Sequence, residues 1–144
     1  MTAVPGAAAL RVERSFLAFD FGTRRVGVAS GNSVLAQAQP LRTLDLVGTA
    51  RFDAIARLID EWQPDALVVG VPRHPDGAAH ENTARAQRFA RQLHGRFRLP
   101  VHEVDERWST TAAREAGAAD LDAAAAAILL QQFLDERARE RAAA

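Results

Sequence analysis

The chain has no cysteine, no tyrosine and no lysine, and its aromatic content is only 6%. Without cysteine, disulfides and thiolate metal sites are excluded, so any bound metal must sit on oxygen or imidazole. All 18 basic residues are arginine, and 18 acidic residues balance them to a formal net charge of zero. That balance argues against indiscriminate attraction to polyanions but leaves room for a local basic face. Exclusive use of arginine fits an alanine-rich base composition, and it also suits bidentate contacts to phosphate. No apolar run approaches the ~20 residues of a membrane span. The short patch Ala7-Ala8-Ala9-Leu10 is followed at once by acid and base and does not read as a signal peptide. Residues 1–14 and 139–144 are expected to be tails around a single domain spanning 15–138, in a cytoplasmic protein that does not enter a membrane.

At 144 residues, 48% apolar and 25% charged, the chain is long enough for one well-buried core. Phe16 to Phe19 and Val26 to Ala29 are two apolar runs around a turn at Gly22 and predict a hairpin. A third extended segment is expected over 36–44, weakened by Pro40. The period then changes. Phe52, Ile55, Ala56, Ile59 and Trp62 fall on one face of a helix ended by Pro64. Ala66 to Val69, wholly apolar and closed by Gly70, reads as a central parallel strand. A second helix from Thr83 to Leu93 turns Ala86, Phe89, Ala90 and Leu93 inward and Arg85, Arg88 and Arg91 outward. Val101 to Val104 is another short strand, Ser109 to Ala116 a brief helix, and Asp122 opens a long one with Ala125, Ile128, Leu129, Gln132 and Phe133 on one face. The expected fold is α/β: a mixed five-stranded sheet in a three-layer arrangement, flanked by helices.

Asp20 carries most of the functional information. It ends the first apolar strand and is followed at once by Gly22-Thr23-Arg24-Arg25. A carboxylate at the end of a buried strand is costly unless a cation or a partner compensates it. Ligand crevices of open α/β sheets lie beyond the carboxyl ends of strands, and Asp20, the loop after Gly70 and Asp105-Glu106 all fall at such ends. Asp122, in the first turn of the last helix, can lean over the same place. Converging carboxylates repel unless divalent cations neutralise them. Oxygen donors without thiol point to Mg²⁺ or Mn²⁺, and two such ions about 4 Å apart are a device for phosphodiester cleavage. Strand alternation puts Asp105 and Glu106 on opposite faces, so one faces the crevice while the other pairs with Arg107, and Glu106 is preferred for metal. Thr23, Arg24, Arg25 and Arg107 are placed to meet a phosphate. Asp76 reads as a turn residue.

These residues resemble a known family. Phe19-Asp20-Phe21-Gly22-Thr23-Arg24-Arg25-Val26-Gly27-Val28-Ala29, Val69-Gly70-Val71-Pro72, Asp76-Gly77, Asp105-Glu106-Arg107 and Leu121-Asp122 are similar, in order, to motifs of the bacterial YqgF or RuvX family. Ile128 to Leu134 fits its final helix. The resemblance implies an RNase H-like fold and an activity as a Holliday junction resolvase or pre-16S ribosomal RNA nuclease. It maps the acidic positions onto Asp20, Glu106 or its neighbour Asp105, and Asp122. Its implied partners are an rRNA precursor or branched DNA, with ribosomal factors and a dimer also in view. Two positions depart from the pattern: Ser30-Gly31-Asn32 stands where an aspartate is common, and Ala124 where leucine is usual.

Two other function classes fit parts of the chain. Asp20-Phe21-Gly22-Thr23 also resembles the first phosphate loop of actin-like ATPases and sugar kinases, but those need a second such lobe and none is present. A non-catalytic scaffold for structured RNA is compatible with neutral charge and scattered arginines, and it would bind nucleic acid irrespective of chelators.

Overall fold

The computed structural model describes residues 12–74, 76–106 and 121–143. The expected brief helix after Ser109 lies outside them, as do Arg107 and Trp108. The described elements are β1 (Ser15–Phe21), β2 (Val26–Asn32), β3 (Gln37–Leu44), α1 (Gly48–Trp62), β4 (Ala66–Val71), α2 (Thr83–Phe97), β5 (Val101–Asp105) and α3 (Leu121–Ala143). They form one five-stranded sheet in the order β3-β2-β1-β4-β5. β1, β2 and β3 pair antiparallel, while β4 and β5 run parallel to β1. The carboxyl ends of β1, β4 and β5 therefore lie side by side.

Side-chain alternation divides the core between the two faces of this sheet. Leu17, Phe19, Val26, Val28, Leu67 and Val69 pack under α1 and α2, with Phe52, Ile55, Leu58, Phe89 and Leu93. Phe16, Ala18, Ala29, Ala66, Val68 and Val104 pack under α3, with Ala126, Leu129, Leu130 and Phe133. The mixed sheet, its helix layers and the adjacency of the three strand ends agree with the reading of the sequence. β4 is buried along its whole length, as a central parallel strand requires. Pro40 is tolerated because β3 is an edge strand, and an extra residue there shifts the register opposite Val28 and Ala29.

Two helix faces differ from expectation. The buried stripe of α1 is Arg51, Phe52, Ala54, Ile55 and Leu58, so Ala56 and Ile59 move to its margin and Trp62 emerges 39% exposed. In α3 the expected Ala125, Leu129 and Phe133 are buried, Ile128 lies at the margin, Gln132 is exposed, and the buried face widens to take in Ala126, Leu130 and Leu134. A helix opening with five consecutive alanines gives hydrophobic periodicity nothing to phase on. At the chain start, Asp65 Oδ2 accepts the backbone N–H groups of Arg14 and Ser15 at 2.8 and 3.0 Å. Glu13 Oε1 lies 2.7 Å from His102 Nε2 and 2.8 Å from Arg137 Nη2. No described helix is long and apolar enough to cross a membrane.

Candidate active site

Alternation in β1 sends Phe16 and Ala18 into the α3 layer and brings Asp20 to the same face where the strand ends. Both sheet neighbours of Asp20 are glycine: Gly27 across the antiparallel pair and Gly70 across the parallel one. Each glycine makes space that another group fills. Over Gly27 comes the start of α3, so close that any side chain at 27 would overlap the Asp122 carbonyl. Over Gly70 lies the Glu106 carboxyl, with Leu129 beside it. The Glu106 backbone N–H donates to Val71 O at 3.1 Å, which extends the β4–β5 ladder by one residue and fixes where the side chain begins. The Asp20 and Glu106 carboxyls thus meet at a glycine-flanked position, with the start of α3, which carries Asp122, alongside.

Asp20 and Glu106 are hydrogen-bonded to each other. Two buried carboxyls at that separation cannot both ionise. Burial pushes Glu106 up to about 10, helped by its hydrogen bond to Asp20 and by the charges of Asp20 and Asp105. Burial also raises Asp20; its bond from Glu106 acts in the opposite sense, and the Asp122 charge adds to the rise. Their hydrogen bond thus favours the protonated form of Glu106 and the charged form of Asp20. Glu106 Oε2 is buried and has no hydrogen-bond partner among the described residues.

Asp122 is half-buried, and its Oδ2 lies 3.2 Å from Arg25 Nε. Asp105 follows Val101 and Glu103 onto the alternate positions of β5, away from the row that contains Val104. Its charge still reaches Glu106. Thr23, Arg24 and Arg25 stand exposed at the tip of the β1–β2 hairpin. Arg107 lies outside the described residues. In the loop after β4, Asp76 accepts the Ala78 N–H at 2.9 Å and makes a turn. The His80 ring accepts the Asn82 N–H through Nδ1 at 3.1 Å, and Thr83 Oγ1 donates to Pro72 O.

The donor set suits a hard divalent cation: carboxylate oxygens only, one of them buried without a hydrogen bond, and a proton held where a second positive charge would serve. Among the described residues no three metal-ligating side chains are yet gathered around one point. Asp122 is turned to Arg25 rather than to the pair.

Two solved structures share this architecture. Thermus thermophilus RuvC in complex with a Holliday junction substrate superposes with a TM-score of 0.57 at 14% identity, covering 86% of this chain and 96% of that one. A second T. thermophilus RuvC structure gives 0.53 at 13%, covering 87% and 96%. The fold is therefore RNase H-like. A family model described as RuvX, Holliday junction resolvase, matches residues 14–136. The chain belongs to the RuvX family, the one its motifs indicated. It is 64% identical over 121 residues to a protein of Albidiferax ferrireducens named "Putative pre-16S rRNA nuclease", spanning 84% of this chain and 78% of that protein. A Polaromonas protein of the same name is 62% identical, spanning 84% and 88%.

Arg51 escaped the sequence reading. It is 6% exposed, its Nε donates to Leu46 O at 2.8 Å and its Nη2 to Thr23 O at 3.2 Å, and its guanidinium lies over the Phe21 ring. It fastens the hairpin tip to the start of α1. An arginine on the inward side of an amphipathic helix, next to Phe52, was the available signal.

Proposed function

We propose that the protein is a metal-dependent nuclease that hydrolyses phosphodiester bonds, with precursor ribosomal RNA as its first substrate class and branched DNA as the second. The observation that carries the reading is the Asp20–Glu106 carboxyl pair, seated over Gly70 with Asp122 alongside. The names of the two curated relatives described above support RNA, and the family description supports junction DNA.

Asp20, Glu106 and Asp122 would hold the ions, for which Mg²⁺ and Mn²⁺ are the candidates and two the expected number. A divalent cation there supplies Lewis acidity, making water a better nucleophile and neutralising charge on the leaving oxygen. The chain's own residues do the rest. Asp20 is fixed by strands on both sides and presents its carboxylate from a rigid base. Glu106 gives up its proton to solvent as positive charge enters the site. Arg24 and Arg25 at the exposed hairpin tip meet the phosphate backbone, and Arg107 is retained as a further contact from the sequence.

The test is cleavage of labelled RNA extending past a ribosomal RNA end, beside a labelled four-way DNA junction, with Mg²⁺, Mn²⁺ or chelator. Wild type is expected to cut in metal only, and Asp20→Asn to stay folded and inactive. Preferred substrate separates RNA maturation from recombination. An Asp20→Asn protein as active as wild type overturns the reading. Nucleic-acid binding without cleavage in any metal would favour a scaffold.

A further inference from the structure

We propose that Arg25 is a built-in counter-ion: it holds Asp122 away from the Asp20–Glu106 pair until a divalent cation arrives, and is then released toward the substrate phosphate. The inference rests on the metal-dependent reading above and adds an ordering step to it.

The backbone on both sides of the Arg25–Asp122 pair is fixed. Arg25 immediately precedes β2, whose first residue, Val26, is paired to both Phe21 and Leu44. The start of α3 is pressed onto Gly27, with no space for movement of the Asp122 main chain toward the sheet. What remains free is side-chain rotation. Arg25 is 61% exposed and Asp122 34% exposed, so both can turn. Asp122 has two alternatives within reach: the guanidinium, where it now sits at 3.2 Å, or the carboxyl pair, whose Asp20 already feels its charge. Only the second brings three oxygen-bearing side chains together, and the described residues show no such group in the present arrangement.

The energetics favour a pair that yields. An ion pair this exposed is weak, whereas a divalent cation among carboxylates interacts with each at close range and with double the charge. Without metal, the guanidinium offsets one of the crowded negative charges. With metal, the same guanidinium is repelled and becomes available beside the site, where its fork geometry matches a phosphate. Lysine would supply the charge without that second use.

The experiment measures Mn²⁺ affinity by calorimetry at fixed pH for wild type, Arg25→Gln, Arg25→Lys and Arg24→Gln. Arg24→Gln carries the same loss of charge at the same hairpin tip and so reports the nonspecific electrostatic effect. Arg25→Gln is expected to bind Mn²⁺ about two- to fivefold more tightly than Arg24→Gln, and Arg25→Lys to stay near wild type. In an Asp122→Asn background the gain should vanish. Single-turnover cleavage at saturating Mn²⁺ should fall for Arg25→Gln although the ion binds better. Unchanged or weaker Mn²⁺ binding by Arg25→Gln, with wild-type binding lost in Asp20→Asn, overturns the counter-ion role while leaving the nuclease reading intact. Wild-type Mn²⁺ binding that Asp20→Asn leaves unaltered overturns both. A gain that persists with Asn at 122 also defeats the proposal, since the released partner would then be another group.

Discussion

The Glu106 carboxyl lies in the space that a side chain at position 70 would occupy, so Gly70 is as much a part of the site as the acid above it. Gly27 does the same for the first turn of α3, and the two glycines flank Asp20 in adjacent strands. Glycine weakens a strand interior. Here that weakness is what lets a carboxyl and a helix end descend to the level of the Asp20 side chain.

Gly70→Ala should therefore damage chemistry and stability together. The added methyl must displace Glu106 or Leu129, an overpacking cost of about 1–3 kcal/mol, and Glu106 would leave its bond to Asp20. Thermal melting and cleavage rate check this. A Gly70→Ala protein with wild-type melting temperature and rate would falsify the packing account. Gly27→Ala meets backbone rather than a side chain and should be the more destructive of the two.

Much of this was legible in the sequence and part was not. Asp20 could be singled out because a lone acid at the end of an apolar strand is conspicuous, whereas alternation put Asp105 and Glu106 on opposite faces without saying which of them lies over Gly70. Gly27 and Gly70 stood in plain view, yet only coordinates show what comes down on each. The Arg25–Asp122 pair joins positions far apart in sequence, and nothing local announces it. The faces of α1 and α3 were read in part: Phe52, Ile55, Ala125, Leu129 and Phe133 are buried as expected, but Leu58 was left out of the first and alanine is silent in the second.

Removing metal should make stability fall as pH rises. Glu106 ionises at about 10 in the folded protein against an ordinary value of 4.5. Between those values the folded state binds more protons than the unfolded state, so unfolding free energy decreases with pH. Asp20 is shifted in the same direction. The slope from one such proton is at most about 1.4 kcal/mol per pH unit. In chelator, the melting temperature of wild type is expected to fall from pH 5.5 to 8.5 more steeply than that of Glu106→Gln, whose amide can still donate to Asp20. Parallel curves would show that Glu106 is not the proton carrier.

Divalent cation should reverse that trend. Its binding must displace the proton on Glu106, so added Mg²⁺ or Mn²⁺ should raise the melting temperature more at pH 8 than at pH 6, and chelator should undo it. At 100 times the dissociation constant the stabilisation is about 2.7 kcal/mol. Asp20→Asn should abolish most of it. A metal effect equal at both pH values would mean that the ion binds elsewhere.

Arg51→Met should loosen the hairpin tip without touching an acid. It leaves the carbonyls of Leu46 and Thr23 without their donor, at a cost of about 1–3 kcal/mol. Cleavage measured well below the melting temperature should fall through KM more than through kcat, because the tip meets substrate while the carboxyls stay in place. The reverse split would make Arg51 a support of the acids instead.

The ion-paired cluster at the far end of the sheet gives a test of where the folded unit begins. Glu13 joins His102 of β5 and Arg137 of α3, and the Arg137 guanidinium lies 5.0 Å over the Phe133 ring, itself edge-on to Phe16. Glu13 thus ties β5 to α3 at the end of the sheet remote from the carboxylates. Deleting residues 1–14 removes it; deleting residues 1–11 does not. The longer deletion should lower the melting temperature by several degrees relative to the shorter one, as expected for about 1 kcal/mol in a domain of this size. Glu13→Ala in the full chain should reproduce most of that difference. Cleavage at a temperature where both are folded should be equal, because the cluster lies at the opposite end of β5 from Glu106. Equal melting of the two deletions would place the start of the folded unit at Ser15, and the Glu13 contacts would then carry no stability.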